Sequence, residues 1–152
     1  MSQFPQLLAQ SHTAYTVMTR MGPPDKSLFY WKAPDGTTAL TWNAVHSYGW
    51  GTQVTSNRGQ EGRERFQKEI EEISKTTPGP IFMTWGSDLF APPPDLVEKV
   101  HAFTKDFPAA HFHLSTPSTF FQQAAKSGAI PELSGEIPSA WGRETTAVAQ
   151  IW

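Results

Sequence analysis

Residues Ile81–Leu96 run I-F-M-T-W-G-S-D-L-F-A-P-P-P-D-L, and this stretch decides how the chain is read. Ile81 to Trp85 is an apolar run with Thr and Trp, the composition of a buried strand, and it stops at Gly86. Ser87 and Asp88 follow on a tight turn, then the prolines Pro92, Pro93 and Pro94, then a new helix from Asp95. Folds that alternate strands and helices gather their chemistry just past the C-terminal ends of parallel strands. Asp88 is therefore the candidate catalytic residue, with a plain turn or capping role as the alternative.

Working outward, Gly62 to Thr76 predicts a helix, with Phe66, Ile70 and Ile73 on one face and charges on the other. Pro78-Gly79-Pro80 ends it. A second helix is expected from Asp95 to about Asp106, striped by Leu96, Val100, Phe103 and Phe107. Ala110 to Leu114 reads as a short strand. Ser115-Thr116-Pro117 then starts a third helix, a hydroxyl cap with Pro in the first turn, which carries Phe120, Phe121, Ala124 and Ala125 and stops near Gly128.

Upstream, Tyr15 to Met21 alternates as a strand. Leu28–Trp31 and Thr38–Trp42 flank Ala33-Pro34-Asp35-Gly36-Thr37 as a β-hairpin, in which Asp35 is a turn residue. Asn43 to Gly59 reads as a polar and aromatic surface loop, a candidate functional segment, holding Tyr48-Gly49-Trp50-Gly51. Strand–helix alternation with short connections predicts an α/β fold with a parallel sheet or barrel. A complete (β/α) barrel takes roughly 250 residues, so 152 residues are expected to form one segment, 1–152, incomplete at both ends.

Composition narrows the function classes. The net charge is -2, from 12 basic and 14 acidic residues without a basic stripe, which argues against a nucleic-acid partner. No apolar run approaches the ~20 residues of a membrane span, and the first ten residues lack the features of a signal peptide. No membrane partner is expected, and the location is cytoplasmic by default. There is no Cys, so disulfides and thiolate metal sites are excluded. Six Trp, ten Phe and three Tyr are the unusual feature. Trp31, Trp42, Trp50, Trp85 and Trp141 fall at strand ends or in loops, where flat rings line pockets and stack on the apolar faces of sugars. Carbohydrate is thus the natural ligand class, against the alternative that these rings are core.

Three phrases in order then carry a family resemblance: Leu28-Phe29-Tyr30-Trp31-Lys32-Ala33-Pro34-Asp35-Gly36-Thr37, Trp85-Gly86-Ser87-Asp88, and Leu114-Ser115-Thr116-Pro117-Ser118-Thr119-Phe120-Phe121 followed by Gly135-Glu136. The set resembles the later part of the catalytic domain of glycoside hydrolase family 38, the retaining α-mannosidases, over roughly residues 15 to 145. The resemblance implies a partial (β/α) barrel of the glycoside hydrolase/deacetylase type. The family's strand-end Gly-Asp-Asp carries the general acid/base on its second Asp, which corresponds to Asp88, with Ser87 in place of the first.

The resemblance also implies two carboxylates, one of them a nucleophile, and a zinc ion held by His and Asp. The family's early zinc ligands lie in a His-x-Asp motif. Here the five His are followed two residues on by Ala14, Tyr48, Phe103, His113 and Ser115, so that motif is missing, and a later His ligand is expected beyond Trp152. No metal ligands are assigned within this chain. His111 and His113 share one side of the expected strand, but a tetrahedral zinc site wants three or four ligands.

Two functions of different class follow. One is a glycoside hydrolase-like domain that cleaves α-mannosidic or related bonds in a complete protein and is inactive as this chain alone. Asp88 is its acid/base, and Trp85, Ser87, Trp50 and Glu136 line the substrate. The other is a non-catalytic carbohydrate-binding or structural remnant of such a barrel. In either, unpaired strand edges favour self-association.

Overall fold

The turn at Ala33–Thr37 closes the hairpin on which the sheet is assembled. Gly36 N–H donates to the Ala33 carbonyl at 3.0 Å and Ala33 N–H to the Thr37 carbonyl at 2.8 Å. Gly36 supplies the positive φ of 90° that the turn requires. Asp35 Oδ1 accepts from the Thr37 amide at 2.9 Å, and that bond holds its carboxyl below the usual range. The structure is a computed structural model that describes residues 2–56, 59–86, 88–89, 91, 93–108 and 110–137.

The hairpin joins β2 (Leu28–Lys32) to β3 (Thr38–Asn43). Along the other side of β3 runs β1 (Tyr15–Met18), parallel, with Tyr15 opposite Leu40 and Met18 opposite Asn43. β4 (Glu132–Ser134) pairs parallel with β2, giving an open mixed sheet in the order β1-β3-β2-β4. Leu28, Leu40 and Trp42 face the larger core. Phe29 and Trp31 face a smaller one with Met18 and Ile137, against which Phe4 of α1 (Phe4–Gln10) packs. Burial on both faces explains why these strands read as continuous apolar runs and not as alternations.

The remaining helices are α2 (Trp50–Ser56), α3 (Gln60–Thr76), α4 (Leu96–Asp106) and α5 (Pro117–Ala124). The larger core is largely aromatic. Phe66 of α3 lies 4.9 Å from Phe103, 5.1 Å from Phe107 and 5.6 Å from Trp50, ring centroid to centroid. Thr116 caps α5, its Oγ1 accepting from the Thr119 amide at 3.3 Å. That places Phe121 in a stack on Tyr15 and Phe120 edge-on to Trp42.

Several expectations are corrected. Among the described residues the runs 81–85 and 110–114 join no sheet, so the expected parallel alternation gives way to a mixed sheet built on the early hairpin. The first run spends its backbone on α2: the Thr84 carbonyl accepts from Gly51 N–H at 2.9 Å and the Gly86 carbonyl from Thr52 Oγ1 at 3.4 Å. Meanwhile Ile81, Phe82 and Met83 pack on the core. The supposed loop after Asn43 contains α2, the first strand stops at Met18, and β4 and α1 were not anticipated. Among the described residues no helix is long and apolar enough to cross a membrane.

Because Phe66 meets rings from three directions, Phe66→Ala is expected to cost about 3–5 kcal/mol through the lost contacts and the cavity left behind. Thr116→Ala should cost about 1 kcal/mol by removing the cap. Urea unfolding monitored by circular dichroism checks both. A Phe66→Ala loss no larger than that of Thr116→Ala would remove Phe66 from the centre of the core.

Candidate functional site

Parallel pairing puts the ends of β1 and β3 side by side, since Met18 lies opposite Asn43. Both strands then leave the sheet through a residue with positive φ, Arg20 at 65° and Ser47 at 77°. Residues other than glycine adopt this conformation at a cost, and it concentrates at functional positions. The two turns bring Arg20 and Tyr48 together. Arg20 Nη2 donates to the Tyr48 hydroxyl at 2.9 Å, and its guanidinium carbon sits 5.1 Å from the Tyr48 ring centroid, a cation–π distance.

Asp88 arrives from a different part of the chain. The 81–86 run is fastened to the start of α2, with Thr84 Oγ1 also donating to the Ser47 carbonyl at 3.3 Å. Gly51 makes this approach possible, because a Cβ there would lie 2.9 Å from the Thr84 carbonyl oxygen. The chain then turns at Asp88 and Leu89, both exposed. Tyr48 donates its hydroxyl proton to Asp88 Oδ2 at 2.8 Å. The result is a three-residue chain, Arg20 to Tyr48 to Asp88, at the C-terminal end of β1 and β3.

The hydrogen bond to Asp88 raises the Tyr48 pKa above its ordinary value, since ionisation would break that bond and set two negative charges together. The Arg20 charge pulls the other way and is the weaker influence. A raised pKa in the folded state gives a stability contribution that is complete below the unfolded tyrosine value, ~10. It is lost as pH rises through the folded value.

The other expected residues fall elsewhere. Trp50 is buried, 4% exposed, with Nε1 donating to Glu69 Oε2 at 2.8 Å and its ring against His46 and Phe66. It supports the site from beneath. Trp85 is half-buried beside Gly51. Glu136 follows β4, whose Ser134 lies opposite Lys32, while Lys32 pairs with Thr38 at the start of β3. Glu136 therefore sits at the end of the sheet away from Asp88. Ser87 and Trp141 lie outside the described residues.

His111 and His113 are exposed on a segment that is not a strand. Among the described residues no three His, Asp or Glu side chains come together as a metal site. The described side chains do not assemble a site for the zinc that the resemblance implies. Arg20 is the functional candidate that motif reading missed; Tyr48 lies in the loop already marked as a functional candidate, without a role of its own. The usable signal was the rule that α/β sites collect at strand C-termini, applied to the first strand as well as to the Trp85 run.

No family model matches the chain, and no curated protein matches it. Among solved structures it is similar to an alpha-mannosidase from Enterococcus faecalis V583, with a TM-score of 0.76 and 16% sequence identity over 91% of this chain. The chain spans 17% of the length of that structure. At this identity the likeness establishes a shared fold.

In an Asp88→Asn variant the Tyr48 pKa should fall back toward the ordinary tyrosine value, read from the pH dependence of the ring-carbon NMR signal. An unchanged titration curve would mean that the phenol and the carboxylate are not bonded in solution.

Proposed function

We propose that this chain is a glycosidase-like domain of the kind found in family 38 retaining α-mannosidases, contributing the acid/base half of an active site. In the complete protein its sheet and helices would form part of a (β/α) barrel of the glycoside hydrolase/deacetylase type. The supporting observation is the Tyr48–Asp88 hydrogen bond of 2.8 Å, set at the C-terminal strand ends of a domain that shares its fold with an alpha-mannosidase. One carboxylate oxygen is held and the other is left to meet a glycosidic oxygen.

The chemistry asked of Asp88 is a proton transfer. In the first step of a retaining mechanism it gives a proton to the oxygen of the departing sugar; in the second it takes one from the attacking water. Tyr48 orients the carboxyl for both steps by donating to Oδ2. Arg20 fixes the phenol by hydrogen bond and by stacking. A nucleophile and zinc are expected from sequence of the complete protein outside this chain, and mannosides or related glycosides are the proposed substrates. Self-association through the free edge of β1, where Val17 is 40% exposed, is a further proposal about partners.

The test is a pair of rate comparisons on the complete protein. Asp88→Asn should slow cleavage of a mannoside with a sugar leaving group by about 10²–10⁴-fold, the usual worth of general acid–base catalysis. It should slow departure of a dinitrophenolate far less, since that group leaves without a proton. Equal slowing of both substrates would make Asp88 a folding or positioning residue. Sugar binding without turnover would favour a carbohydrate-binding module instead.

A further inference from the structure

Asn43 ends β3, is 2% exposed, and bonds along the loop that joins β1 to β2. Its Nδ2 donates to the Pro23 carbonyl at 2.8 Å and to the Lys26 carbonyl at 3.0 Å. Both hydrogens of the side-chain amide are thereby committed. The backbone amide of Asn43 donates to the Ser27 carbonyl at 2.7 Å. Gly22 passes so close that any Cβ there would overlap the Asn43 side chain. A buried amide bonded in this way holds its partners firmly, since little water is at hand to replace the bonds.

What hangs from this latch is the first part of the candidate site. Met18 is the register partner of Asn43, and its carbonyl accepts from the Ala44 amide at 2.8 Å. The chain is therefore fixed at Met18 and again at Gly22 and Pro23, leaving Thr19, Arg20 and Met21 to span the gap. Arg20 is the middle one, and its φ of 65° is a conformation that an unanchored chain would leave. In the other direction, the Asn43 carbonyl accepts from the Val45 amide and the Ala44 carbonyl from the Ser47 amide, each at 2.9 Å. Those bonds shape the turn that delivers Tyr48. Arg20 and Tyr48 are both placed from Asn43, but by different atoms: Arg20 through the side chain, Tyr48 through the backbone.

We infer that Asn43 is a positioning residue, whose side chain sets Arg20 against the Tyr48 phenol and so governs the partners of the hydroxyl that holds Asp88. It acts through the loop. Without the side-chain amide the 22–27 stretch is released, the backbone at Arg20 relaxes, and the guanidinium leaves the phenol. Tyr48 and Asp88 stay bonded, because the turn that places Tyr48 keeps its backbone bonds and the run before Asp88 stays fastened to Gly51. The consequence for proton transfer rests on the glycosidase reading; the latch does not.

The experiment follows the Tyr48 ring-carbon NMR signal through its titration in this chain and its variants, with no substrate present. Asp88 raises the Tyr48 pKa, while Arg20 lowers it by charge and by hydrogen bond. Asn43→Ala should therefore move the Tyr48 midpoint up from its wild-type value, opposite in direction to Asp88→Asn. Arg20→Met should move it up by the same amount, and the double variant no further than either alone, since both changes remove one interaction. Thr116→Ala, which costs stability at the α5 cap, should leave the curve where it is. Gly22→Ala pushes on the same latch, should also raise the midpoint, and carries the test if Asn43→Ala fails to fold. An Asn43→Ala curve that coincides with wild type, or shifts that add in the double variant, would make Asn43 a plain loop brace and overturn the inference. A wild-type curve for Arg20→Met would overturn it as well, by leaving no guanidinium–phenol contact for Asn43 to set. A fall in place of the rise would overturn it by showing that the side chain holds Tyr48 on Asp88. Equal slowing of both mannosides by Asp88→Asn in the complete protein would remove the acid/base role and leave the titration result standing.

Discussion

The parallel ladder between β1 and β3 is the constraint on which the rest depends. It sets Met18 against Asn43 and so brings two exits from the sheet to one place. Parallel strands cannot be joined by a tight turn. The connection here is an antiparallel detour: β1 leaves through the 20–27 loop, β2 returns, and the hairpin delivers β3 beside β1. The loop that makes this detour also carries Arg20. Topology and site share the same residues.

Core packing supports that arrangement from below. Trp50 ties α2 to α3 through Glu69 and Phe66, and α2 in turn fastens the run that delivers Asp88. The aromatic richness of the chain is mostly spent this way. Rings that suggested a sugar-stacking surface are structural at Trp31, Trp42 and Trp50, which are 2%, 1% and 4% exposed. Composition alone cannot separate the two uses, because a ring that stacks on sugar and a ring that stacks on Phe66 look alike in sequence.

The hairpin was legible because Pro-Asp-Gly encodes its own geometry, and α3, α4 and α5 because their apolar spacing and the Thr116 cap are local. The runs 81–85 and 110–114 were misjudged for a different reason. An apolar stretch reports burial and not the identity of the hydrogen-bond partner; here the first run bonds to a helix start. α2 was illegible because Gly51, Thr52 and Val54 are poor helix formers, and packing of Trp50 overrides their preference. β4 hides between Pro131 and Gly135, its pairing with β2 fixed only by the tertiary structure. Asp88 was singled out as following an expected strand, a run that joins no sheet among the described residues, and Tyr48 only as part of a candidate loop. Arg20 was not singled out, because its proximity to Tyr48 exists only once β1 and β3 are paired.

The Tyr48 hydroxyl carries a single hydrogen, and that hydrogen points at Oδ2 of Asp88 while Arg20 occupies the oxygen from the other side. Arginine can only donate, so Arg20 holds the phenol oxygen whichever way Tyr48 turns its own hydrogen. While that hydrogen lies on Oδ2, a proton that enters Asp88 at Oδ1 leaves the Tyr48 bond intact. The phenol thus makes two chemically identical oxygens unequal, one a held acceptor and the other a port through which a proton passes without disturbing the chain.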